Sequence, residues 1–63
     1  MGAKNINLTS LELIREIASN DYKSVVYDNT PVLKTDAIYY LSTPEFEGRI
    51  WNVLVSKSVI YFA

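Results

Sequence analysis

The chain has 63 residues, enough for one domain, and it contains neither Cys nor His, so disulfides and the usual zinc sites are excluded as supports for a small core. Six basic and seven acidic side chains give a formal net charge of −1, which leaves no long-range attraction for phosphate. Hydrophobic residues make up 49% of the chain, more than one small interior accommodates, so self-association or a partner is the expected outlet.

The stretch Met1-Gly2-Ala3-Lys4-Asn5-Ile6 carries one cation and no apolar segment behind it, which is unlike a secretory signal. Ile6 stands where a myristoylation motif beginning at Gly2 wants Ser or Thr. Asn7-Leu8-Thr9 matches a glycosylation sequon, but it reads more simply as the lead-in to a helix. That helix is expected over Ser10 to Ser19. Thr9 and Glu12 form a T-x-x-E capping box, and Leu8 and Leu13 have the spacing of a hydrophobic staple. At 100° per residue Leu11, Leu13, Ile14, Ile17 and Ala18 gather on one side and Glu12, Arg15 and Glu16 on the other. Asn20 and Asp21 supply the stop, Asn being able to adopt the left-handed conformation that ends many helices.

Beyond Asp21 the residues become β-branched and aromatic, and strands are expected. The first spans 23–27 and is closed by the turn cluster Asp28-Asn29-Thr30-Pro31. The second falls within 32–41, with 37–41 as its firm part. Residues 42–48 form a loop or one helical turn bracketed by Pro44 and Gly48. The end of the chain is expected to be a hairpin, 49–55 and 59–62, around Ser56-Lys57-Ser58. With two central turn residues, Val55 faces Ile60, Val53 faces Phe62, and Trp51, Val53, Val55, Ile60 and Phe62 share the core face. A longer turn would shift this register by one residue. The expected fold is therefore α+β: one domain over 1–63, with an N-terminal amphipathic helix packed on a mainly antiparallel sheet of about four strands.

Catalysis finds little to work with. Without His or Cys, the nucleophile and base would have to be Ser56-Lys57-Ser58, but a hairpin tip offers no buried pocket to depress the lysine pKa. Glu45 and Glu47 flank Phe46, the pattern of an exposed loop anchored by one buried ring. The acids lack the spacing of a calcium loop, and Gly2 and Gly48 cannot make a phosphate cradle. No enzyme, metal, cofactor or small-molecule substrate is expected.

Aromatic residues are the richest constellation: Tyr22, Tyr27, Tyr39, Tyr40, Phe46, Trp51, Tyr61 and Phe62. Several belong to the core. For the remainder, contact with protein is favoured over stacking of single-stranded bases, since Lys23, Lys34, Arg49 and Lys57 do not make a basic groove. One helix covers one side of a sheet, so the other side is expected to show Ile50, Asn52, Leu54, Tyr61 and one of Tyr39 and Tyr40. With both tyrosines kept as candidates, Tyr39, Tyr40, Ile50, Asn52, Leu54 and Tyr61 are the expected partner-binding residues. The expectation is a non-enzymatic protein-binding module, homodimeric and acting as a small inhibitor or regulatory protein, with binding of single-stranded nucleic acid as the alternative. No apolar stretch approaches the roughly 20 residues of a membrane span. A cysteine-free chain without an export signal is expected in the cytoplasm; its frequent Asn, Ile, Lys and Tyr fit an AT-rich genome, and its compactness suits a phage or other mobile-element product.

Overall fold

The computed structural model describes residues 2–63; Met1, where the leader reading begins, lies outside them. Lys4–Thr9 forms a strand, β1, rather than a plain lead-in to the helix. Its alternation is legible once its partner is known: Ile6 and Leu8 turn toward the core, whereas Asn5 and Asn7 turn away. The chain then enters helix α1 (Ser10–Ser19) through the expected capping box. The Thr9 backbone N–H donates to Glu12 Oε1 at 2.9 Å, and the Glu12 N–H donates to Thr9 Oγ1 at 3.3 Å. Leu13 and Ile17 are fully buried and Ile14 is half-buried; Leu11, expected on the same face, is mostly exposed. At the other end Asn20 stops the helix in an extended conformation, not a left-handed one, and its Nδ2 donates to the Glu16 carbonyl at 2.8 Å.

Strand β2 (Ser24–Tyr27) turns through Asp28 and Asn29 into the short strand β3 (Thr30–Val32). Both turn residues have positive φ, 48° and 64°, the arrangement of a type I′ hairpin. Next comes the largest departure from expectation. Lys34–Leu41, within the segment 32–41 expected to hold a strand with 37–41 as its firm part, is a helix, α2. Residues 37–41 are rich in residue types that favour strands, but Ala37 and Leu41, four apart, are both buried against the core, and Asp36 lies in the first helical turn, where a negative charge is favoured. Tertiary burial at helical spacing overrides a propensity that reflects packing context more than backbone preference.

A 3-10 turn at Pro44–Phe46 leads to β4 (Ile50–Ser56), and a two-residue turn joins it to β5 (Val59–Phe62). The register is the expected one, Val53 opposite Phe62 and Val55 opposite Ile60. Lys57 takes φ 54° to make this turn, occupying the left-handed position that a type II′ turn gives to glycine.

The five strands form one sheet in the order β1-β4-β5-β2-β3, antiparallel except for the parallel pair β2 and β5. The fold is thus α+β, with two helices packed on a mixed five-stranded sheet. Both helices lie on one side. Leu13, Ile17, Ala37 and Leu41 from the helices meet Val25, Trp51, Val53, Ile60 and Phe62 from the sheet in a single core. Ser10 ties the two layers together, its buried hydroxyl accepting the Gly48 N–H at 2.9 Å.

Candidate functional site

With both helices on one side, the opposite face of the sheet is uncovered, and the register identifies its residues. Asn5, Asn7 and Thr9 of β1 lie beside Leu54, Asn52 and Ile50 of β4. Leu54 lies beside Tyr61, and Tyr61 beside Val26 of β2, which neighbours Pro31 of β3. Ser56, Val59 and Ser24 complete the rows. Every one of these side chains is uncharged. A row of Leu54, Tyr61, Val26 and Pro31 crosses the face, and Ile50 stands apart from it at the start of β4, beyond Asn52. Tyr61, in the middle of the row, is 37% exposed, and the separate Ile50 is 60% exposed.

Four of the six expected partner-binding residues, Ile50, Asn52, Leu54 and Tyr61, therefore share one surface. Tyr39 and Tyr40 do not join them. Their segment is helical and lies in the other layer, where successive residues are about 100° apart. Tyr39 points to solvent at 75% exposure, while Tyr40 turns inward. The sequence placed them on the sheet because 37–41 resembled a strand. Missed altogether were Asn5 and Asn7, which are on the face only because residues 4–9 form an edge strand. Their period-two alternation with Ile6 and Leu8 was the available signal.

Most of the aromatic residues belong to the interior. Tyr27 stacks on Phe62 with ring centroids 5.0 Å apart, and Trp51 meets Phe62 edge-on at 5.4 Å. Phe46 lies 4.5 Å from the Tyr40 ring and 5.6 Å from Trp51, so the loop bearing the exposed Glu45 and Glu47 is anchored by its phenylalanine. The Arg49 guanidinium sits 4.3 Å from the Trp51 ring centroid, a cation–π contact on the helix side of the sheet. Tyr61 alone of the aromatic residues belongs to the open face.

The helix side carries its own polar contacts. The hydroxyls of Tyr27 and Tyr40 are 2.8 Å apart at the wall of a cleft of about 350 Å³ lined by Tyr27, Val32, Asp36, Ala37 and Tyr40. This hydrogen bond, with burial, pushes Tyr40 up to about 12. Tyr22 is likewise raised to about 12, by burial first and then by donating to Glu16 at 2.5 Å. Neither phenol is poised to exchange a proton near neutrality. Lys57 is exposed at the hairpin tip, and Lys34 Nζ donates to the Asn20 carbonyl at 2.9 Å. Among the described residues no acidic groups gather as a metal cage, and no helix is long and apolar enough to cross a membrane.

Compared with protein-family models, curated proteins and solved structures, the chain matches none.

Proposed function

We propose that this chain is a non-enzymatic interaction module, a small inhibitor or regulatory protein that binds another protein through the open face of its sheet and associates with itself. The observation that carries this reading is the uncharged face, with Leu54 and Tyr61 side by side at its centre and Ile50 exposed toward one end. Protein interfaces are depleted of charge at their cores and enriched in tyrosine, with polar groups at the rim. Covering one large apolar side chain stabilises a complex by roughly 1.5–3 kcal/mol. A face without a cation offers nothing to phosphates, and one exposed tyrosine is a poor platform for successive bases.

Capture from a lysate of the cells that express the protein tests the reading, with the wild type compared against an Ile50→Lys, Tyr61→Lys double variant. The expected outcome is a protein retained by the wild type and lost by the variant, whose circular dichroism and melting are preserved. Identical retained sets would mean that the open face is not where the partner binds. Titration of a fluorescent single strand at low salt checks the other macromolecular class. Saturable binding that weakens as salt rises would replace protein with nucleic acid as the ligand.

A further inference from the structure

We propose that the outer edge of β1 is a self-association site, where two copies of this chain pair antiparallel with Asn5 of one copy opposite Asn7 of the other, joining two five-stranded sheets into one. The inference rests on the self-association in the proposed function and gives it a location.

The directions of the backbone groups carry the argument. Ala63 donates its N–H to the Asn52 carbonyl at 3.3 Å, so Asn52 turns its backbone toward β5. Residues of an antiparallel strand alternate in this respect, so Trp51, Val53 and Val55 turn toward β1 and bond their partners Leu8, Ile6 and Lys4. Asn5, Asn7 and Thr9 consequently direct their backbone groups outward, away from the sheet. The Thr9 N–H agrees, because it reaches Glu12 in the capping box. Among the described residues no turn, loop or cap bond occupies the outward groups of Asn5 and Asn7.

Those groups are self-complementary. Placing a two-fold axis at Ile6 sets Asn5 against Asn7 twice, and the N–H and C=O of all four residues find partners. An axis at Asn7 would instead set Asn5 against Thr9, whose N–H is already taken. With the axis at Ile6, the two Ile6 side chains meet on the helix side, and the asparagines align on the open side. Gly2 and Ala3 of one copy then fall opposite Ser10 and Thr9 of the other, and around Gly2 there is space, with nothing within 4 Å of a Cβ built there. Both helical layers remain on one side, so the two open faces become continuous.

The other edge of the sheet is protected. β3 has three residues, and its middle one, Pro31, has no N–H to donate. β1 has six residues, no proline and a single charge, Lys4. An edge of that length without such protection is a template for another strand, and the strand it fits is its own.

Sedimentation over a concentration series, with amide exchange at Asn5 and Asn7, tests the seam. The wild type is expected to dimerise at micromolar concentrations, with both amides protected in the dimer and exchanging rapidly on dilution. Asn7→Pro removes one outward N–H per copy and is expected to weaken dimerisation about tenfold or more while circular dichroism is preserved. Should that variant unfold, the exchange measurement decides on the unmodified protein, because fast exchange at both amides in a dimer overturns the seam. A dimer kept by Asn7→Pro and lost by Tyr61→Lys also overturns it, and leaves self-association standing on the open face. A monomer throughout overturns the seam and self-association together, while capture of a partner by the open face is measured separately.

Discussion

Tyr40 shares a hydrogen bond with the Tyr27 hydroxyl inside the helix-side layer, and Tyr40 couples stability to alkaline pH. An unfolded tyrosine titrates near 10, whereas Tyr40 in the folded chain is raised to about 12, and Tyr22 is raised similarly. The folded state holds on to protons that the unfolded state gives up. Its stability is therefore full below about 10 and is lost as pH rises through about 12. Thermal melts across that window should show the midpoint falling, with Tyr40→Phe flattening part of the decline and Tyr22 accounting for some of what remains. A melting curve indifferent to pH over this range would contradict the raised phenols. Glu12 has the opposite sense: hydrogen bonds from the Thr9 backbone and side chain lower its carboxyl, so what the capping box contributes is lost as the solution becomes strongly acidic.

Among the elements, α1 and the β4–β5 hairpin were legible in the sequence because each is specified locally. Thr9 and Glu12 announce a helix start at fixed spacing, and Thr9→Ala should destabilise the fold by about 1 kcal/mol, measurable by denaturant titration. The hairpin register followed from turn length and alternating apolar residues, although Lys57 is an unexpected residue for its position. A left-handed conformation costs a residue other than glycine roughly 1–2 kcal/mol, part of which the greater freedom of unfolded glycine offsets. Lys57→Gly is therefore expected to raise the melting temperature; a fall would mean that the Lys57 side chain makes a contribution larger than the strain. Elements fixed by distant partners were not legible. β1 exists because β4 pairs with it from more than forty residues away, and α2 is helical because Ala37 and Leu41 are both drawn into the core. The open face was consequently read correctly on β4 and β5, where Ile50, Asn52, Leu54 and Tyr61 belong to the hairpin. It was misread at Tyr39 and Tyr40, whose placement depended on a long-range contact.

For the whole molecule, the sheet order makes stability uneven. β4 and β5 are flanked by strands on both sides, β4 by β1 and β5 by β2, whereas β3 is a three-residue edge. Native-state amide exchange should be slowest at Leu54 and Tyr61, which bond each other between the two central strands, and fastest in β3, with β1 between them, protected in the monomer only on the side facing β4. Uniform protection would indicate a single opening unit. The parallel pairing of β2 with β5 has a further consequence for synthesis in the cell. β5, which follows the other four strands of this sheet in the chain, occupies its middle, between β4 and β2. Until residue 62 clears the ribosome's exit tunnel, the hairpin of β2 and β3 has no neighbour through which to reach β4 and β1. Completion of the sheet must therefore wait until β5 has emerged, and a nascent chain exposed only as far as β4 would hold α1 formed and its sheet in two unjoined parts, β1 with β4 and β2 with β3.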